Sequence, residues 1–169
     1  MKKFLLLVCL IAAGSLTAGA QTFALIDMDY ILERIPAYQK AVDQIDNSAE
    51  QWQSEVEKLT NEAKTLYEAY QSAASGLTET QRQQKEQAII DKEKEAAELR
   101  QTYFGNEGEL AKLQDDLLGP IEDSIYDAVK AVALRDGYAV VVDRASATSI
   151  FFANPNIDIS DEILKKLGY

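Results

Sequence analysis

Few side chains in this sequence of 169 residues have the types and spacing that chemistry requires. The sequence contains no histidine, and its single cysteine is Cys9. Asp27 and Asp29 form an Asp-x-Asp triplet, which would place two carboxylates on one face of a strand if the strand extends that far, as a metal ligand pair would need. No other ligands accompany this pair, so a strand-ending acidic pair is favoured. Serine nucleophiles lack an imidazole to activate them. The sequence therefore predicts no catalytic residue, no metal site, no cofactor and no enzyme.

The first twenty residues have the pattern of a signal peptide. A basic start is followed by an apolar run, residues 4–13, that is too short to cross a bilayer, and residues 18–20 are the small residues that a signal peptidase needs. A lipoprotein role for Cys9 is disfavoured because few apolar residues precede it and no small residue lies directly before it. We expect cleavage before Gln21, which leaves 15 basic and 28 acidic side chains, and export of the protein.

A long helix is predicted by a strict alternation of four- and three-residue steps between apolar positions. Such a heptad pattern keeps one seam of a helix facing a partner helix. Pro36 suits the first turn, where no amide hydrogen is needed, and Gly76 is the residue best able to adopt a left-handed conformation at the end. The seam residues are Tyr38, Val42, Ile45, Ala49, Trp52, Val56, Leu59, Ala63, Leu66, Tyr70 and Ala73.

A second long helix is predicted to return beside the first. Thr78 and Gln81 form a capping box, which satisfies free amides at a helix start. Two helices of about 40 residues that join near 76–78 must fold into an antiparallel hairpin, roughly 60 Å long. In that register Trp52 should meet Tyr103. The returning seam consists of Ile89, Ala96, Leu99, Tyr103, Leu110, Leu113 and Leu117, interrupted by Arg82, Lys85, Lys92 and Asn106.

The flanking segments are predicted to form a small β-rich body. Strands are expected at residues 23–27, 138–143 and 150–153, and the second is apolar throughout, which indicates a strand covered on both faces. A helix from Pro120 to Asp136 should close at Gly137, and Ser160 should cap a last helix that ends at Leu167. The predicted fold is mainly α with a small β body, formed by residues 21–35 and 119–169. A long antiparallel coiled-coil hairpin, residues 36–118, projects from this oligomerisation domain.

Several segments resemble, in order and spacing, the Skp (OmpH-like) family of periplasmic chaperones. They are FALIDMDYIL after the signal peptide, GP-I-x-D-x-I-x-x-A-V-K-x-V-A-x-x-x-GY-x-V-V-x-D after the hairpin, the strand end FANP, and the final DISDEILKKL. The resemblance implies an ATP-independent homotrimer in the periplasm. Its hairpins would surround a cavity that holds unfolded outer-membrane β-barrel proteins.

The charge of the chain limits its other partners. Residues 36–118 carry 17 carboxylates and 9 basic groups, which would repel a phosphate backbone and argues against nucleic-acid binding. The best-known members of the family are basic, and their positive hairpin tips are credited with binding acidic lipid or lipopolysaccharide. The acidic charge of this chain argues against that role. The alternative function, from a different class, is a structural coiled-coil spacer or assembly protein of the envelope that holds no client.

Two features of the returning helix supply candidate site residues. An outer stripe of apolar residues follows the seam at every seventh position: Ile90, Ala97, Phe104, Ala111 and Leu118. It either broadens the packing of the hairpin or contacts clients. In the second case the client-contact candidates are Ile90, Phe104 and Leu118, together with Tyr67, which widens the apolar face of the outgoing helix near the tip. Gly105 and Gly108 each cost about 1 kcal/mol relative to alanine inside a helix. They are either a tolerated packing compromise or a hinge.

Overall fold

The computed structural model describes residues 22–147 and 149–169. The predicted signal peptide lies outside these residues. Contacts within the chain divide it into two compact units, which break at Ile31/Leu32 and at Tyr126/Asp127. We call residues 32–126 the hairpin unit, and residues 22–31 with 127–169 the strand unit. The sequence prediction had set the limits of the hairpin at residues 36 and 118.

The hairpin unit contains the two long helices that the heptad pattern predicts. Helix α1 (Met28–Leu32) leads into α2 (Pro36–Ala73), which begins with Pro36 in its first turn. After a 3₁₀ turn (Ala74–Gly76), α3 (Glu79–Phe104) runs back along α2. The predicted capping box is present, because the Thr78 hydroxyl accepts from the Gln81 amide at 3.3 Å and the Gln81 side chain accepts from the Thr78 amide at 3.0 Å.

The seam between α2 and α3 is buried where the heptad pattern predicts. Its buried side chains are all aliphatic, and two of the five are alanine. Toward the tip the seam is more open, since Leu66 remains 40% exposed. The buried seam residues are Ile45, Val56 and Ala63 on α2, and Ile89 and Ala96 on α3.

Gly76 does not end the outgoing helix in the way that the sequence suggested. Positive φ occurs, among the described residues, only at Gly137 and Gly168. Helix α2 instead tightens into the 3₁₀ turn, where the backbone amide of Ala74 donates to the carbonyl of Gln71. The tip therefore closes without a left-handed residue.

The returning helix is interrupted at the two glycines. Helix α3 ends at Phe104, and α4 begins at Glu109 and continues to Asp136. The intervening turn is held by the Gly108 amide, which donates to the Gly105 carbonyl at 2.9 Å. A Cβ atom at Gly108 would lie 2.8 Å from the Gly105 nitrogen, so the chain packs too tightly there for any side chain. The prediction of one continuous helix through residues 105–108 is wrong.

The helix predicted to begin at Pro120 begins earlier, at Glu109. Pro120 lies inside α4, where its ring removes one backbone hydrogen bond. The Ser124 hydroxyl donates to the Pro120 carbonyl at 2.7 Å, one turn further along the helix. The predicted end is confirmed, because α4 stops at Asp136 and Gly137 follows with φ of 75°.

The strand unit contains two of the three predicted strands. Strands β1 (Thr22–Ile26) and β2 (Tyr138–Asp143) pair in parallel, with an irregularity in register next to Phe23. The third, predicted for residues 150–153, is wrong: this segment has no regular structure. The expectation that β2 is covered on both faces is also wrong. Val140 is 55% exposed because the described chain places nothing over it.

Acidic side chains join the ends of the strands to the helices that follow them. Asp143 Oδ1 accepts from the Met28 amide at 3.1 Å, and Asp27 Oδ2 lies 2.9 Å from Arg144 Nη2. Burial raises the pKa of Asp143, but hydrogen bonds, chiefly from the Met28 amide and Ser146, outweigh it and leave the pKa below its usual value. Strand β1 ends at Ile26, so Asp27 and Asp29 do not share a strand face as the triplet suggested.

The last helix, α5 (Ser160–Leu167), has the predicted extent but a different start. Its N-cap position is Ile159, and no side chain caps it there. The Ser160 hydroxyl, which was predicted to be the cap, accepts from the Asp27 amide at 2.8 Å and donates to Asp158 at 2.6 Å. Ser160 thus fastens α5 to the end of β1.

Candidate functional site

The outer stripe is exposed at one end and half-buried at the other. Ile90 is 54% exposed, and Ala97 is exposed as well. Phe104, Ala111 and Leu118 are half-buried. Broader packing therefore accounts for the part of the stripe near and beyond the helix break. The part nearer the tip is available for contact with another molecule.

A cleft of about 520 Å³ opens between α2 and α3 beside the exposed part of the stripe. The seam residues Ala63 and Ala96 line it, and their short side chains leave this space unfilled. The structure brings the predicted contact residue Tyr67, which is 47% exposed, to the same cleft as Ala97. Neither Ile90 nor Phe104 lines it.

An aromatic cluster stabilises the hairpin next to the helix break. The rings of Trp52 and Tyr103 stack, with centroids 5.1 Å apart and an angle of 11° between their planes, which confirms the predicted register. Phe104 packs edge-on against Tyr103 at 6.3 Å. The Tyr103 hydroxyl donates to Glu55 Oε2 at 2.5 Å, and this bond lowers the pKa of Glu55 and raises the pKa of Tyr103. The break therefore follows a well-anchored segment of α3.

Polar residues close the hairpin where the apolar seam is interrupted. Lys92 Nζ lies 2.6 Å from Glu95 on its own helix and 3.2 Å from Glu62 on α2, and both contacts raise the pKa of Lys92. Nearer the tip, the Tyr70 hydroxyl donates to Glu86 at 2.5 Å, which raises the pKa of Tyr70. These bonds hold α2 and α3 together without large apolar side chains.

The strand unit exposes an apolar surface that the sequence analysis missed. Phe151 is 100% exposed, and Phe23, Val140 and Phe152 are also exposed. Phe23, Phe151 and Phe152 line a cleft of about 620 Å³. The run Ile-Phe-Phe was the available signal, but the sequence analysis interpreted it only as a strand. So much aromatic surface is unusual on a protein that has no partner.

Neither metal chemistry nor a membrane span is indicated by the described residues. Residues 22–147 and 149–169 contain no group of three or more histidine, cysteine, aspartate or glutamate side chains that could hold a metal ion. Over the same ranges, no helix combines the length and the apolar character that crossing a membrane requires.

Comparison with known proteins assigns the family. The family model described as "Outer membrane protein (OmpH-like)" matches residues 22–167, from the first residue of β1 to the last of α5. The chain belongs to the OmpH-like family. This confirms the resemblance, and the helical hairpin with a small pair of strands confirms the predicted fold class.

Curated relatives of this OmpH-like chain are named as chaperones. It is 25% identical over 169 residues to the chaperone protein Skp of Yersinia enterocolitica, an alignment that covers 99% of both chains. It is 26% identical over 170 residues to the chaperone protein Skp of Yersinia pestis, again over 99% of each chain. The crystal structure of an OmpH-like outer membrane chaperone from Caulobacter crescentus matches with a TM-score of 0.64 and 13% identity, over 86% of this chain and 82% of that one.

Proposed function

We propose that this protein is an ATP-independent holdase chaperone of the periplasm that holds unfolded outer-membrane β-barrel proteins between helical arms and prevents their aggregation. The observation that carries the proposal is the similarity to the Skp chaperones along 99% of both chains. An unfolded barrel protein offers many short, weakly apolar segments and no fixed shape. Binding it calls for many weak contacts in a shielded space rather than one deep pocket.

The hairpin unit has the surface that such binding needs. Its seam is closed by aliphatic packing and by the Lys92 and Tyr103 bonds, so Tyr67 and Ile90 stay exposed without loosening the hairpin. We propose these two residues, with the half-buried Phe104 and Leu118 at the margin, as the client-contact surface. Gly105 and Gly108 interrupt the helix close to that surface. We propose that they act as a hinge, which would let the space between arms change its width.

The strand unit supports assembly into a homo-oligomer. A sheet of two strands is marginal by itself, and this one leaves Phe23 and Val140 uncovered. We propose that other copies of the chain cover these residues together with Phe151 and Phe152, and that the assembly is a homotrimer. Sedimentation of the exported protein should then give a trimer, whereas Phe151→Gln with Phe152→Gln should shift it toward monomer. Unchanged sedimentation of that variant would exclude this surface from assembly.

A dilution experiment tests the holdase proposal. A urea-denatured β-barrel protein is diluted into buffer with and without the purified chaperone, in the absence of nucleotide, and light scattering is followed. We expect scattering to be suppressed, and added ATP to change nothing. Aggregation at the same rate with and without the protein would contradict the proposal and favour the alternative, an envelope spacer that holds no client.

The spacer alternative makes a different demand on the hairpin. A spacer needs a stiff arm that is polar outside its seam. The break between α3 and α4 and the exposed Ile90 and Tyr67 do not suit that role. They favour the chaperone, and the dilution experiment decides between the two.

A further inference from the structure

The cleft between α2 and α3 combines an apolar interior with positive charge at its margin. Ala63 and Ala96 are buried and line it, and Tyr67 contributes an aromatic ring. Its volume of about 520 Å³ lies within the range of sites that bind small organic groups. The seam residues that line this space are alanines, on both helices, so no long seam side chain fills it.

Two basic residues, Lys64 and Arg100, line the cleft as well. Lys64 pairs only loosely with Glu68, at 3.9 Å and with both side chains well exposed. Arg100 makes no ion pair within the part of the chain that the structure describes. This is notable because carboxylates outnumber basic groups by 17 to 9 between residues 36 and 118. In an acidic hairpin, the cleft is a local site of positive charge next to apolar surface.

We propose that the cleft is a client subsite for an aromatic side chain that is followed in the client by a carboxylate. This inference rests on the proposed function and deepens it. The aromatic ring would enter between Ala63 and Ala96 and pack against Tyr67, while Arg100 and Lys64 bind the carboxylate. Glu93 also lines the cleft and would repel the second negative charge of a phosphate monoester, so a carboxylate suits the cleft better than such a group.

Short peptides test this assignment in the full-length exported protein. The probes are acetyl-GSFEGS-amide and acetyl-GSFKGS-amide, titrated against ¹⁵N-labelled protein while the amide signals of Tyr67 and Ala97 are followed by NMR. We expect the FE peptide to shift these signals. It should bind about threefold or more tightly than the FK peptide, a difference in affinity that two solvent-exposed ion pairs can supply. Arg100→Gln should abolish that preference.

Matched variants separate the cleft from general effects on the hairpin. Lys94→Gln is the control for Lys64→Gln, because each lysine pairs with a glutamate four residues later and is equally exposed. Ala97→Leu should block binding of the FE peptide by filling the cleft. Ala88→Leu places the same side chain on an exposed position of α3 outside the cleft and should leave binding unchanged. Leucine is a strong helix former, so both leucine variants should fold, which circular dichroism checks.

The outcomes distinguish this inference from the proposed function. Equal affinity for both peptides, or loss of binding in Lys94→Gln as large as in Lys64→Gln, would overturn the subsite. Shifts of Tyr67 and Ala97 with phosphatidylglycerol vesicles but not with the FE peptide would overturn it in favour of a lipid surface. If the protein suppresses aggregation of denatured barrel proteins but the FE peptide does not bind, the subsite alone is wrong. If the peptide binds as expected but aggregation is not suppressed, the subsite stands and the holdase proposal fails.

Discussion

Replacement of glycine by alanine should have opposite effects at two positions of the hairpin unit. These are Gly108, in the break between α3 and α4, and Gly76, in the turn at the tip. At Gly108, a Cβ atom would lie 2.8 Å from both the Gly105 nitrogen and the Tyr103 carbonyl oxygen, 0.6 Å short of the 3.4 Å at which ordinary contact begins. Both atoms belong to the backbone, so the turn itself must move. At Gly76, a Cβ atom would meet nothing within 4 Å, and φ is not positive. Gly108→Ala should therefore destabilise the hairpin, and Gly76→Ala should stabilise it.

The expected magnitudes follow from two opposing effects. Forcing extra volume into a packed site costs about 1–3 kcal/mol. Replacing glycine restricts the unfolded chain, which stabilises the folded state by about 0.4–1 kcal/mol wherever the native conformation suits alanine. Gly76→Ala retains only the second effect. In Gly108→Ala the first dominates, and the net loss should be about 1–2 kcal/mol.

Native-state hydrogen exchange measures the difference locally. In Gly108→Ala, amides in residues 101–104 and 109–112 should exchange about 5–30 times faster, the factor that corresponds to 1–2 kcal/mol. In Gly76→Ala, exchange near the tip should slow. The reasoning is refuted if Gly108→Ala stabilises the hairpin as Gly76→Ala does. That result would mean that α3 and α4 form one continuous helix in solution, as the sequence pattern had suggested.

Three further predictions concern the aromatic cluster, acid stability and the exposed stripe. Trp52→Ala should lower the free energy of unfolding of the hairpin by roughly 2 kcal/mol, which is less than the loss expected for a fully buried tryptophan, because Trp52 is half-buried. Urea denaturation measures this loss. Uniformly faster hydrogen exchange in both units would contradict the prediction. The pKa of Asp143 is lower in the folded chain than in the unfolded chain, so its ionised form contributes stability that is lost as pH falls through the folded-state pKa. Asp143→Asn should flatten the acid limb of a pH–stability curve, and an unchanged curve would exclude this role. Ile90→Gln should weaken client holding and leave the melting temperature unchanged, because Ile90 is exposed. Phe104→Gln should weaken holding and also lower the melting temperature, because the Phe104 ring of the parent packs on Tyr103. If Ile90→Gln holds clients as well as the parent does, Ile90 is not part of the contact surface.

The hairpin could be predicted from the sequence because its information is local and repeated. Each heptad places apolar residues on the same face of the helix, and the capping box at Thr78 marks where the second helix starts. The position of the turn near residues 76–78 also sets the register, so the contact between Trp52 and Tyr103 could be predicted by counting residues from the turn. Repetition makes such a prediction robust against an error at any single position.

The helix break could not be predicted because periodicity does not record the path of the backbone between apolar positions. The seam continues across the break, from Tyr103 to Leu110 with the usual seven-residue step, so the pattern favoured one continuous helix. Two glycines three residues apart lowered the helix propensity there but did not specify a turn. A Cβ atom at Gly108 would meet the backbone of Gly105, and a Cβ atom at Gly105 would lie 2.4 Å from the Gln101 carbonyl oxygen, so neither position has room for a side chain.

The segment 150–153 shows a different limit of sequence reasoning. Its Ile-Phe-Phe run has strong strand propensity, yet the described chain leaves Phe151 fully exposed and gives the segment no strand to pair with. Strand propensity in large part measures how well a side chain fits against neighbouring strands, and those neighbours need not come from the same chain. If the oligomer that we propose exists, the pattern describes the assembled protein rather than the single chain. The exposed Phe23 and Val140, on the two strands that do form, are then the other half of the same surface.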